Sequence, residues 1–263
     1  MTGALVARPS DNVTSTASLA WSGTSADTSY PIANLKTLEP DVVAKSTSGG
    51  SVSLVATIAA TALKGFALIN TNLRGLTLTL TNSGGMTAQP TVVPSPDDGL
   101  CCNVYWDLRG LSGTTASTWT VAIAGAPSPV AIGTLLMLAD WTLVRVRWDW
   151  ELVDVFPRIE QRTSYGKRLQ YQIPVRTRKY AALAIDATQR NFLREVAREA
   201  HGSIVPWTLV PDVDDDAVML VQFVEDHRSE TYRIGHGKFR DGTAVGLVDQ
   251  PIAVEEVNGG VAL

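Results

Sequence analysis

The chain has 263 residues, of which 45% are hydrophobic and 18% charged, with a formal net charge of −4. Folding a chain of this length removes about 70% of its extended surface from water, so it builds a core without a disulfide or metal staple, and a disordered tail protein is excluded. The negative balance also excludes a protein whose main work is wrapping nucleic acid, which needs a basic footprint.

In chain order, the first strand candidates are Ser51 to Ile58 (SVSLVATI), Phe66 to Asn70 (FALIN), Leu76 to Leu80 (LTLTL) and Trp119 to Ile123 (WTVAI), each bounded by Gly, Asn or Ser. In LTLTL the leucines point one way and the threonines the other, as a strand with one buried face requires. Several such strands bury their faces only against one another, which predicts two packed sheets. Asn82 to Gln89, Pro94 to Gly99 and Gly110 to Thr115 read as turn or loop material, and Pro127 and Pro129 mark another irregular segment. The adjacent Cys101 and Cys102 form neither a CxxC pair nor a spaced framework. They read as reduced thiols of a protein folded in the cytoplasm, with a strained vicinal disulfide as the alternative. No basic stretch followed by an apolar one opens the chain and no apolar run approaches 18 residues, so neither Sec-type export nor membrane insertion is expected.

Composition shifts near residue 140, from a Thr-, Ser-, Gly- and Ala-rich part to one that carries most of the charge. In VRVRWDWEL, Val144, Val146, Trp148, Trp150 and Leu152 alternate with charged residues, which predicts a strand with both tryptophans on one buried face. Tyr180 to Ile185 follows as a strand. Asp186 then stands as N-cap, Gln189 at N3 and Gly202 at C′, predicting a helix over about 187–201. Its apolar stripe is Phe192, Val196 and Ala200, joined by Leu193 and Ala197; the other side carries Arg190, Arg194 and Arg198, with Glu195 and Glu199 placed to screen them. Ser203 to Val210, Ala217 to Val224, Glu230 to Ile234 and Ile252 to Val257 supply further strands, Pro206 arguing against an uninterrupted central strand there.

Motifs for chemistry are sparse. Three dispersed histidines, His201, His227 and His236, set no metal-ligand rhythm. The acidic run from Asp212 to Asp216 lacks the glycine and the twelfth-position acid of a calcium loop, where Ala217 and Phe223 stand, and reads as an exposed turn. The glycines around His236 fall short of a dinucleotide loop, since Arg240 takes the third place and no helix follows. No GxSxG elbow or GxxxxGK[ST] loop occurs. No enzyme and no cofactor is expected.

Two stretches carry a resemblance. Tyr30 to Leu35 (YPIANL), Asp41 to Ser46 (DVVAKS), the strand at Ser51 and Phe66 to Leu73 (FALINTNL) resemble the discoidin-like, galactose-binding-type β-sandwich found in tailed-phage virion proteins. Pro31 fixes φ there, and Asn34 and Asn72 suit backbone hydrogen bonding in tight turns. Relatives often carry a tryptophan shortly before the serine; here Ala44 precedes Lys45 and Ser46, which weakens a ligand site at that position but not the fold. The stretch from Trp141 through Arg162 to Gly166 (RTSYG), the capped helix and Gly202 to Asp212 is similar to the C-terminal portion of phage tail-tip and baseplate proteins, distal tail proteins among them.

The resemblance implies a mainly-β protein: a discoidin-like jelly-roll β-sandwich over 1–140, then a smaller α+β tail-assembly domain over 141–263 with one packed helix. It implies a non-enzymatic structural subunit of a phage tail tip or baseplate, located in the virion tail and assembled in the host cytoplasm. Such a subunit forms a ring-like homo-oligomer or decorates the hub, with other tail, hub or baseplate proteins as partners and neither nucleic acid nor membrane insertion involved. Basic residues outnumber acidic ones two to one from Trp141 to Arg198, and the stretch from Glu199 onward is acidic. The interface expectation therefore sets Arg190, Arg194 and Arg198 of one copy against Asp212, Asp214, Asp215 and Asp216 of the next. The alternative is a carbohydrate-binding module for host-surface glycan, with Tyr30, Asn72 and Trp106 as glycan contacts. Because Tyr105 and Trp106 are adjacent, only one of them can face a given layer.

Overall fold

The computed structural model describes residues 3–38, 42–94, 102–148, 158–162, 168–172, 179–184, 187–200, 205–210, 217–223 and 252–256. Its strands, in chain order, begin with β1 (Gly3–Val6), β2 (Ser18–Ser22), β3 (Ala44–Lys45), β4 (Gly50–Ala62), β5 (Gly65–Thr71), β6 (Thr77–Asn82), β7 (Gln89–Val92), β8 (Cys102–Asp107) and β9 (Thr115–Ala126). They continue with β10 (Ala131–Leu138), β11 (Thr142–Trp148), β12 (Arg158–Arg162), β13 (Arg168–Gln172) and β14 (Lys179–Ala184). After the helix α1 (Ala187–Ala200) come β15 (Val205–Val210), β16 (Ala217–Phe223) and β17 (Ile252–Glu256).

Two antiparallel sheets form the sandwich: β2-β4-β9-β6-β7 and β3-β10-β5-β8. The first follows the expected alternation. In β6, Leu78 and Leu80 are fully buried while Thr77 is exposed, and in β4 Val52, Leu54, Ala56 and Ile58 turn inward. Between the sheets Phe66 stacks on Trp119 at 6.2 Å between ring centroids and meets Trp106 edge-on at 5.7 Å. The Trp119 indole is held by packing alone, since its Nε1 has no hydrogen-bond partner.

The second sheet differs. Every residue of β5 and β10 is buried, because both faces are covered. Phe66, Leu68, Leu135 and Met137 face the sandwich core, while Ala67, Ile69, Leu136 and Leu138 form a second core with Leu5, Ala7 and Trp141. Gly65 opens β5 because Trp141 lies against its backbone, where a Cβ would collide with the indole.

The expected division into 1–140 and 141–263 needs correction at its first residues. β1 pairs with β11 on one side and β15 on the other, completing a closed barrel of order β1-β11-β14-β17-β16-β15. The described chain thus runs from barrel to sandwich and back, because an apolar four-residue strand needs partners along both edges. A separate β12-β13 hairpin lies between β11 and β14 in sequence. Pro206 does not interrupt β15: its register partner is Leu220 of β16, and β1 pairs only from Trp207 onward, so the proline stands where β1 no longer runs alongside.

The helix lies within one residue of its expected end. Leu193 and Val196 are fully buried. Its acids reach back to the start of the chain: Glu195 binds Arg8 at 2.8 Å, Glu199 accepts from Ser10 Oγ at 2.8 Å, and Arg8 also covers the Phe192 ring at 5.2 Å. The helix therefore docks on the 8–10 segment that leads from barrel to sandwich. Asp186 and Gly202, the expected caps, Trp150 and the Glu230 to Ile234 strand lie outside the described residues.

Candidate functional site

The β2–β4 connection folds into a polar ribbon at one end of the sandwich. The Asp27 carboxylate accepts the Ser29 amide at 2.8 Å, making an Asx turn that delivers Tyr30. Pro31, at φ −63°, then leads into a 3₁₀ turn over Ile32–Lys36, anchored by the fully buried Leu35. Asn34 Nδ2 donates to Val43 O at 2.7 Å, so the YPIANL segment is tied to the strand that follows it.

The segment 24–30 runs alongside 45–48. Lys45 N donates to Tyr30 O at 3.0 Å, Asp27 N to Lys45 O at 2.9 Å and Thr47 N to Ser25 O at 2.9 Å. At the ribbon's far end Thr24 Oγ1 lies 2.8 Å from Ser48 Oγ. Ser46 is buried and grips the sandwich: its Oγ donates to Ser48 O and accepts from Val130 N at 2.9 Å. Lys45 thereby faces outward, its ammonium 4.1 Å from the centre of the Tyr30 ring. Among the described residues Tyr30 is the one aromatic that stands exposed, at 40%. Tyr30, Lys45 and Asp27 are thus carried on one hydrogen-bonded ribbon.

The other two expected glycan contacts are placed differently. Trp106 is buried at 3% exposure in the inter-sheet core, its Nε1 donates to Gln89 O at 3.0 Å, and it reaches the surface only as one of the residues lining the cleft between β7 and β8. Its neighbour Tyr105 takes the other layer, packed edge-on against Trp141 at 5.5 Å, as the adjacency predicted. Asn72 is a clamp: Nδ2 donates to Pro129 O and Oδ1 accepts from Ala131 N, both at 2.9 Å, so both ends of the amide are used. It acts on the ribbon indirectly, by fixing the 129–131 segment that Ser46 also holds.

Of the expected interface residues, Arg198 is exposed on α1. Arg190 and Arg194 lie on the same helix but their side chains are outside the described set, as are Asp212, Asp214, Asp215 and Asp216 and all three histidines. Cys102 is buried, and Cys101 lies outside the described residues. Among the described residues no three His, Cys, Asp or Glu side chains come together as a metal site.

An open cleft of about 340 Å³ lies where the edge strands β7 and β8 of the two sheets meet, lined by Gln89, Thr91, Asn103, Tyr105 and Asp107 among others. Burial pushes the Asp107 carboxyl up, but the side-chain and backbone bonds from Arg109 and its charge outweigh this and hold it below the ordinary carboxylate value.

No family model matches the chain, and no curated protein does. Among solved structures it is similar to a fucose binding module from Streptococcus pneumoniae at 14% identity, over 48% of this chain and 96% of that one, with a TM-score of 0.38. It is also similar to the lectin domain of lectinolysin complexed with Lewis B antigen, at 11% identity over 46% and 91% of the two chains, TM-score 0.36. A third is the F5/8 type C domain of a Bacteroides fragilis protein, at 12% identity over 47% and 91%, TM-score 0.36. The virion, tail-tip and baseplate expectation is corrected to this extent: the solved structures named are described as a binding module, a lectin domain and an F5/8 type C domain, and none of them as a virion protein. The physical reason is visible in the motifs. YPIANL forms a 3₁₀ turn and FALINTNL a strand end with its clamp, so both report a sandwich wherever it is used and say nothing of what it assembles with. Among the described residues the architecture is the expected mainly-β sandwich with a single packed α-helix.

Proposed function

We propose that this chain is a non-enzymatic binding module that takes a neutral glycan on the ribbon carrying Asp27, Tyr30 and Lys45. The observation that carries the reading is the exposed Tyr30 ring under the Lys45 ammonium, on a hydrogen-bonded loop end that also carries Asp27. A pyranose presents an apolar C–H face to an aromatic ring and hydroxyls at its rim, and a few placed polar groups around an aromatic supply both needs. Lys45 donates to a hydroxyl and Asp27 accepts from one, and since both charges are present the site favours uncharged sugar over an acidic one. The ribbon is fixed to the sandwich through Ser46, so little ordering accompanies binding.

A glycan array followed by calorimetry on the best neutral glycan tests this. Saturable binding is expected, weakened at least tenfold by Tyr30→Ala and left intact by Trp106→Phe. Absence of binding across the array, or binding that Tyr30→Ala leaves unchanged, overturns the reading.

A further inference from the structure

Among the described residues one that is not glycine takes a left-handed backbone: Asn70, at φ 55°. That conformation is costly for most side chains and least so for glycine, asparagine and aspartate. It marks a bulge in β5. Leu68 pairs with Val104 of β8 and Thr71 with Cys102, so Ile69 and Asn70 stand against Asn103 alone, and the Asn70 amide donates to Asn103 Oδ1 at 2.7 Å. On the β10 side the register does not slip, since Thr134 faces Ile69 and Ile132 faces Thr71.

The consequence falls two residues on. β5 ends at Thr71, and the Asn72 side chain carries the ladder one step further. Ala131 O accepts the Asn72 amide at 3.2 Å, while Ala131 N donates to Asn72 Oδ1 at 2.9 Å, where a strand would offer its own carbonyl. One asparagine thereby holds both main-chain groups of Ala131. On its other side Ala131 is the register partner of Lys45, in a β3–β10 pairing only two residues long. Ser46 closes that pairing, its amide donating to Val130 O and its hydroxyl accepting from Val130 N, both at 2.9 Å. The sheet order is β3-β10-β5-β8, so these bonds run from Asn103 on one edge, through Asn70 and Asn72, to Lys45 on the other.

We infer that Asn70, Asn72 and Asn103 are positioning residues of the ribbon: the left-handed bulge turns Asn72 so that it locks 129–131, and that segment sets where Lys45 stands over Tyr30. Bulges beside binding sites re-aim side chains in this way, and a residue in a sparsely populated conformation persists only where its surroundings hold it. A two-residue strand has too few bonds of its own to fix Lys45, which therefore takes its place from Ala131. As a device for glycan binding the inference rests on the reading of the Tyr30 site; as a device for placing Lys45 it does not.

The test reads the ribbon in the full chain by proton NMR. The Lys45 ammonium lies over the Tyr30 ring, so the ring current moves the Lys45 ε-methylene protons upfield. Asn70→Gly and Asn70→Ala delete the same side chain and differ in how readily they take φ 55°. In an ordinary strand glycine is the worse of the two; here alanine is, by about tenfold in the local equilibrium. The upfield shift is expected to survive Asn70→Gly and to collapse toward the free-lysine value in Asn70→Ala, with native circular dichroism in both. A bulge that served only stability would lower the unfolding midpoint and leave this shift alone in the folded protein. Should Asn70→Ala not fold, Asn103→Ala replaces it, with Asn103→Asp as the rescue because it keeps an acceptor for the Asn70 amide. A shift that Gly and Ala lose alike, one that survives in both, or an Asn103→Ala shift equal to that of wild type overturns the inference. Titration with the best neutral glycan separates the two readings. Affinity lost in Asn70→Ala together with the shift supports both, whereas a chain that binds no glycan yet shows the expected Lys45 pattern overturns the glycan reading and upholds the positioning.

Discussion

The two sheets of the sandwich come from the same Thr- and Ala-rich stretch yet meet opposite surroundings. One is buried on a single side and shows water a neutral face; the other is buried on both, between the sandwich core and the Leu5, Leu136 and Trp141 cluster. The difference teaches that the sandwich is complete only with what lies outside it. The 5–10 segment, with α1 docked on it, and Trp141 cover an apolar sheet face that would otherwise stand in water.

The sharpest way to break this comparison is by truncation on each side. Trp119→Ala empties the inter-sheet core and should cost about 3–5 kcal/mol, and Leu136→Ala on the covered outer face about 2–5 kcal/mol, whereas Thr79→Ala on the open face stays within about 0.5 kcal/mol. Urea unfolding reads all three; a Leu136→Ala cost no larger than that of Thr79→Ala would mean the second face is not covered. Next in size, Gly65→Ala sets a methyl against the Trp141 indole and should cost about 1–3 kcal/mol, with the Trp141 fluorescence maximum moving as the ring is displaced.

Smaller effects concern the joint itself. Arg8→Ala removes a partly exposed pair with Glu195 and the cover over Phe192, and should cost about 0.5–1 kcal/mol, less at high salt. Smallest is the pH term of Asp11. Burial raises its carboxyl above the ordinary value, opposed by the Arg8 amide and reinforced by Asp140. A folded-state value above the unfolded one means that stability is greatest below the unfolded value and falls as pH rises through the folded one. Asp11→Asn, which keeps an oxygen for the Arg8 amide, should flatten that fall between the carboxylate range and neutrality in urea midpoints. An unchanged slope would place the titration elsewhere.

What could be seen in the sequence followed local rules. α1 was legible because its apolar stripe repeats within a few residues of chain, and β6 because LTLTL alternates. β10 escaped because a strand buried on both faces loses its alternation, and AIGTLLML carries no period at all. β1 escaped because a four-residue strand is defined by partners some 140 and 205 residues away. At the candidate site Tyr30 was legible as an aromatic beside polar residues, but Asp27 and Lys45 were not, since the ribbon pairing of 24–27 with 45–48 brings them to it. Trp106 was misplaced because adjacency shows that it and Tyr105 face opposite layers without showing which layer is the core.

The central claim, that the exposed aromatic on the 24–48 ribbon receives a neutral glycan, is tested most directly by titrating such a glycan into isotope-labelled protein and following backbone amide shifts. The account predicts saturable shifts confined to Asp27, Tyr30, Lys45 and Thr47. Shifts that fall instead on the cleft between Gln89 and Asp107, with the ribbon silent, would contradict it.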